Sequence, residues 1–217
     1  MPIFSLDKEL VFPPAELAEP DGLLAIGGDL SVDRLLLAYR SGIFPWYEGE
    51  HIIWWSPNPR LVLDPDNLYV SKSMQVFIRK TSLRFTINKN FRGVIEACKS
   101  SVRREQDGTW ISDEMISAYT KLHQLGIAHS AEAWQDNEMV AGLYGIRMGD
   151  LFFGESMFTN ISNASKFTFI RYVQQLKSEG VMLIDCQVYT EHLESLGASM
   201  ISRKDFLNIL SQNLEAR

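Results

Sequence analysis

Val181–Val188 reads VMLIDCQV, an apolar run of strand length interrupted by an aspartate and a glutamine. A continuous apolar run of this kind marks a strand covered on both faces. Residues two apart in a strand share a face, so Val181, Leu183, Asp185 and Gln187 are expected on one side. A carboxylate beside a carboxamide on such a strand is costly unless something pairs with it. The stretch therefore signals the middle of a sheet and, on it, a polar pair that needs a reason.

The flanking sequence sets the fold class. Just upstream, Ala164–Ser178 has the pattern of a long helix ended by Gly180. Before it, AHSAEAWQ (Ala128–Gln135), EMVAGLYGIRM (Glu138–Met148) and LFFGESMF (Leu151–Phe158) are strand-like runs separated by DN and GD turns, a β-meander. Ser112 caps a helix with Asp113 and Glu114 in its first turn, running to Gln124. Helices near Ser73–Arg79 and Phe91–Ser100 surround a strand near Leu83–Ile87. Downstream, a short helix starts at Thr190 and a last one is capped by Ser202. Helices interleaved with strands around a meander predict an α+β domain with a mixed sheet.

Residues 1–61 differ in character, being rich in Pro, Gly and aromatics, and read as a small N-terminal domain. It contains one clear helix, with Ser31 as N-cap, Asp33 in its first turn and Gly42 as terminator. IFPWYEGEHIIWWSPNPR (Ile43–Arg60) holds three of the five tryptophans, so it packs a second small core or forms a stacking platform. SPNPRLVLDPDNLYV (Ser56–Val70) reads as an extended connector into a larger domain over residues 62–217.

With 46% hydrophobic residues in 217, the chain has enough apolar mass for a sizeable core. It lacks a basic-then-apolar leader and any run near the roughly 18 apolar residues a membrane span needs. A soluble, cytoplasmic monomer is expected. Cys98 and Cys186 make no disulfide framework. His51, His123, His129 and His192 show no metal-ligand spacing, so neither a metal nor a cofactor is expected. Net charge is −6, but between Val70 and Arg104 nine basic residues face Glu96 alone. That window carries +8 and the remainder −14, which is either a polyanion site or a solvated basic face.

The candidate chemistry joins two strands. Leu151, Phe153 and Glu155 share a face, and Glu155 ends an apolar strand much as Asp185 does. Two carboxylates from adjacent core strands would face one cleft. Structural carboxylates paired with an Arg or capping a helix are the alternative, but Asp185, Gln187 and Glu155 together favour a functional reading. GGDLS (Gly27–Ser31) lacks the length and Lys of a phosphate loop, and His129 reads as structural. TNISNASK (Thr159–Lys166) has no glycine, which disfavours an acetyl-CoA pyrophosphate loop.

Eight ordered blocks resemble the leucyl/phenylalanyl-tRNA–protein transferases. They are GLLAIGGDLS, LLLAYRSGIFPWY, WWSPNPR, GTWIS, AYTKLHQLGIAHSAEAW, LFFGESMF, NASK and LIDCQV, running from Gly22 to Val188. The resemblance implies a small N-terminal domain followed by a GNAT-like mixed-sheet domain. It implies transfer of Leu, also Phe and possibly Met, from aminoacyl-tRNA to the α-amine of proteins beginning with Lys or Arg, in N-end-rule degradation. By the same resemblance Asp185 and Gln187 are catalytic, with Asp185 fixing Gln187 and the Gln187 carbonyl accepting a hydrogen bond from the amine. Glu155, Trp46 and Trp110 match positions around the terminal adenosine. Tyr39, Leu143, Phe152, Tyr172 and Ile184 match the aminoacyl side-chain pocket, with Leu143 where Met is common and Tyr172 where Phe is common. Lys72, Arg79, Lys80 and Arg84 become the tRNA surface.

Overall fold

The computed structural model describes residues 3–101 and 111–215. The chain opens with β1 (Phe4–Leu6), a 3₁₀ turn at Ala15–Leu17, β2 (Leu23–Gly27), α1 (Val32–Arg40), β3 (Phe44–Pro45) and β4 (Ile53–Trp55). These strands form a four-stranded sheet in the order β1-β2-β4-β3. Then come β5 (Arg60–Leu63), a 3₁₀ turn at Pro65–Asn67, α2 (Lys72–Lys80), β6 (Arg84–Ile87), α3 (Phe91–Ser100) and α4 (Asp113–Gln124). The meander is β7 (Ala128–Gln135), β8 (Glu138–Met148) and β9 (Leu151–Thr159), followed by α5 (Ala164–Ser178). The last elements are β10 (Leu183–Gln187), α6 (Glu191–Glu194), β11 (Ser199–Ile201) and α7 (Arg203–Glu215).

The larger sheet has seven strands in the order β11-β5-β10-β9-β8-β7-β6. β10 runs parallel to β9 and antiparallel to β5, so the sheet is mixed and the fold is α+β, as expected. Every residue of β10 is buried, in keeping with its unbroken apolar run. The boundary expected at Leu61 falls inside β5: the small sheet ends at Trp55, and the stretch read as a connector contains a strand of the large sheet.

Local chemistry explains the ends of the elements. Ser31 Oγ accepts from Arg34 N–H at 3.4 Å and Ser112 Oγ from Met115 N–H at 3.1 Å, each satisfying an unpaired first-turn donor. Gly42 at φ +72° lets the chain leave α1 where a side chain would be strained. Asp136 and Asn137, at φ +47° and +68°, make the tight β7–β8 turn, a conformation these two residue types tolerate.

Apolar layers cover both faces of the large sheet. Leu61, Leu63, Leu143, Phe152 and Ile184 pack with Met74 of α2 and with the buried face of α5. Val62, Tyr144, Phe153 and Leu183 point the other way, into a core shared with α1, α3, α4, α7 and the small sheet. Alternation within β5 and β10 thus divides the two layers. Trp54 is fully buried, donates its indole N–H to the Gly27 carbonyl at 2.8 Å and meets Phe12 edge-on at 4.8 Å. The tryptophan-rich segment therefore builds core at Trp54, while Trp46 and Trp55 are half-buried with ring centres 5.7 Å apart. No helix among the described residues is long and apolar enough to cross a membrane.

Candidate active site

The parallel ladder between β9 and β10 ends at the Asp185–Phe153 pair. Just beyond it, both strands are bulged. On β9 the register against β8 shifts so that Glu155 is the extra residue, and on β10 the register against β5 shifts across Cys186. A bulge breaks strict alternation and re-aims the side chains beside it. Gln187 also takes φ +65°, a left-handed conformation uncommon for a residue with a side chain. The outcome is a cavity of about 500 Å³ whose walls include Leu143, Phe152, Tyr172 and Ile184, with Glu155 and Gln187 also on its lining. Gln187 Nε2 donates to Glu155 Oε1 at 2.9 Å, so the two bulged strands are bridged by their polar side chains.

Asp185 does not share this cavity. It is 2% exposed, and the bulge separates its face from that of Gln187, which corrects the expectation that the two residues share one side of the strand. Its partner is Arg60, which lies on β5 and was missed in the sequence. Arg60 Nε donates to Asp185 Oδ1 at 2.8 Å and Nη2 to Oδ2 at 2.6 Å, a bidentate ion pair. Arg60 is itself 1% exposed, donates Nη1–H to the Gly42 carbonyl at 3.2 Å and lies 4.7 Å from each of the Phe44 and Phe206 rings. Asp185 Oδ1 also accepts the backbone N–H of Gln187 at 2.9 Å. Asp185 thus fixes Gln187, but through its left-handed backbone rather than its side chain. Among the described residues the Gln187 side-chain carbonyl takes no hydrogen bond, which leaves it available to a donor in the cavity.

Glu155 is the other polar centre. Its Oε1 accepts from Tyr39 Oη at 2.8 Å as well as from Gln187, and its Oε2 accepts from Tyr119 Oη at 3.0 Å. Burial pushes the carboxyl up from 4.5 to about 7, against the lowering effect of these donors, and nearby Asp185 adds to the rise. Burial and the Glu155 charge push both tyrosines well above the usual phenol range.

The structure brings together Leu143, Phe152, Tyr172, Ile184, Glu155 and Gln187 around one cavity. Tyr39 is not on its lining: its hydroxyl is turned to Glu155 and its ring packs edge-on against Phe153 at 5.3 Å. The reason is the hydroxyl itself, which in a fully buried position needs a partner. Tyr119 joins it there, a residue not singled out in the sequence. Trp46 packs at a tilt against Trp55 away from the lining, and Trp110 lies outside the described residues. Lys72, Arg79 and Lys80 are exposed on α2, and Arg84 is exposed on β6, an edge of the large sheet. Among the described residues none of these four is in an ion pair, whereas Arg92 pairs with Glu96 at 2.8 Å and Lys99 with Asp113 at 2.6 Å. Arg103 and Arg104, the end of the basic window, lie outside the described residues.

The profile of the family described as "Leucyl/phenylalanyl-tRNA protein transferase" matches residues 62–211, and that of its N-terminal domain matches residues 28–58. Two similar relatives carry the name leucyl/phenylalanyl-tRNA–protein transferase. That of Flavobacterium johnsoniae is 54% identical over 209 residues, covering 96% of this chain and 99% of the relative. That of Pseudomonas fluorescens is 56% identical over 209 residues, covering 95% and 92%. Among solved structures, a GCN5-related N-acetyltransferase from Kribbella flavida aligns with TM-score 0.41 and 10% identity over 76% of this chain and 58% of that one, too loosely to carry an argument.

Proposed function

This chain belongs to the leucyl/phenylalanyl-tRNA–protein transferase family and is an aminoacyltransferase; from that premise we propose which groups it joins and which residues do the work. It takes Leu, and less often Phe or Met, from the 3′ end of an aminoacyl-tRNA and places it on the α-amine of a protein beginning with Lys or Arg, marking that protein for N-end-rule degradation. The observation that carries this reading is the cavity between β9 and β10, with apolar walls and a Glu155–Gln187 bridge on its lining.

The aminoacyl side chain enters among Leu143, Phe152, Tyr172 and Ile184. A pocket of this kind separates side chains differing by a methylene by only about 1–3 kcal/mol, which suits a transferase with more than one donor. The ester is already activated, so the reaction needs mainly positioning and a deprotonated amine. An α-amine has a pKa of about 7.7–8.0, so little help is required. The Gln187 carbonyl accepts a hydrogen bond from that amine and aims it. Asp185 and Arg60 hold the backbone of Gln187 and do not touch the amine. Glu155 lies at the terminal adenosine, Trp46 and Trp110 are the aromatic residues assigned to that base by the resemblance, and Tyr39 supports Glu155 rather than forming a pocket wall. Lys72, Arg79, Lys80 and Arg84 receive the tRNA backbone, with low sequence preference and high salt sensitivity.

The test is transfer from Leu-tRNA to peptides beginning with Arg, Lys or Ala, followed by mass spectrometry. Leucylated Arg and Lys peptides, with the Ala peptide unchanged, are expected. No leucylated product at low salt overturns the reading; equal product on all three peptides overturns the acceptor choice.

A further inference from the structure

Glu155, Tyr39 and Tyr119 form a closed triangle of side chains. Tyr39 Oη lies 2.5 Å from Tyr119 Oη and 2.8 Å from Glu155 Oε1, and Tyr119 Oη lies 3.0 Å from Glu155 Oε2. Each side of the triangle needs one proton to be a hydrogen bond. A tyrosine hydroxyl supplies one proton, so the two phenols fill two sides. If Glu155 is ionised, two protons serve three sides, and whichever side goes without sets lone pair against lone pair. A third proton on Glu155 Oε2 removes the conflict. Oε2–H then donates to Tyr119, Tyr119 to Tyr39, and Tyr39 to Oε1. Gln187 donates to the same Oε1 at 2.9 Å, which suits a carbonyl oxygen and not a hydroxyl.

We propose that Glu155 is the proton store of the transfer reaction: it rests as a neutral acid closed in a ring with Tyr39 and Tyr119, and it gives its proton to the 3′ oxygen that leaves the acyl group. The proposal rests on the aminoacyl-transfer reading above. In the step, the N–C bond to the acyl carbon forms and the C–O3′ bond breaks. Glu155 protonates O3′, so the tRNA leaves with a 3′-hydroxyl. The proton shed by the new amide nitrogen returns to Glu155 through solvent, and no proton is gained or lost overall. The titratable and charged groups acting on Glu155 are Tyr39 on α1, Tyr119 on α4 and Asp185 on β10, while Tyr144 on β8 acts on Tyr119. Arg60 on β5 matches the Asp185 charge, so desolvation is left as the dominant influence on Glu155. That influence favours the neutral acid.

Glu155→Gln tests this directly, because its carboxamide reproduces the neutral ring: N–H donates to Tyr119 and C=O accepts from Tyr39 and Gln187. The infrared difference spectrum, wild type minus Glu155→Gln at pH 6, is expected to show the C=O band of a carboxylic acid. The variant is expected to melt no lower than wild type at pH 8, to keep its KM for Leu-tRNA within about twofold, and to lose kcat by about 100-fold, the usual scale for a removed acid. Absence of the carboxylic-acid band, or failure of Glu155→Gln to fold, overturns the neutral ring. A band present with kcat kept within about threefold of wild type overturns the role in transfer. Wild-type protein that transfers no Leu at all would instead defeat the function reading and leave the infrared result to decide the ring on its own.

Discussion

Both carboxylate oxygens of Asp185 are engaged by Arg60, and the pair is 1% and 2% exposed. Breaking a buried ion pair from one side leaves a charge with no solvent and no partner, which costs about 3–5 kcal/mol. Arg60→Met and Asp185→Asn are therefore each expected to lower stability in urea unfolding by that amount. Arg60→Met combined with Asp185→Leu should cost clearly less than the sum, as a double-mutant cycle will show. Sequence reading recognised that Asp185 needed a partner but could not choose Arg60 among the arginines, because the pairing joins residues 125 positions apart. The pocket invites a second substitution. Tyr172 is 4% exposed, and its ring meets Phe152 edge-on. Tyr172→Phe removes a buried hydroxyl and adds a little room, so the Phe:Leu transfer ratio should rise, by less than about tenfold.

At the scale of the strand, the bulges decide where chemistry can sit. Period-two reasoning placed all five residues of β10 in the core and the β9–β10 neighbourhood correctly, since a run of apolar residues states burial plainly. It put Asp185 and Gln187 on one face because nothing in LIDCQ signals an inserted residue. The helices were more legible: α3 and α5 span the residues expected of them, and α5 stops just short of Gly180. Gln187 at φ +65° carries backbone strain that glycine would not, of order 1 kcal/mol. Gln187→Gly should consequently melt at or above the wild-type temperature while transfer falls at least about 100-fold. A large loss of thermal stability would mean instead that the Gln187–Glu155 bridge outweighs the strain.

At the scale of the whole molecule, charge and protonation set the working conditions. Among the described residues of the basic window, Lys72, Arg79 and Lys80 on α2, Arg84 on β6 and Lys89 just after it are in no ion pair, while Arg92 and Lys99 are neutralised by Glu96 and Asp113. Reversing Arg79 and Lys80 to Glu is expected to weaken tRNA binding and flatten its salt dependence in filter-binding titrations. Glu155 makes stability depend on pH. Its folded value of about 7 lies above the ordinary 4.5, so the native state binds more protons than the unfolded one between those values. Stability from this group is full below pH 4.5 and falls by about 3 kcal/mol as pH rises through 7. Thermal melts of wild type should show that fall, and melts of Glu155→Gln should not. The Arg60 clasp has a further bearing, on the order of folding. It gathers Gly42, Phe44, Asp185 and Phe206 around one guanidinium, so it cannot close until nearly the whole chain is available. Loop closure over such separations comes late. During synthesis β10 is thus among the last parts to settle, and a ribosome-bound chain stopped before Phe206 should hold Gln187 loosely and transfer nothing.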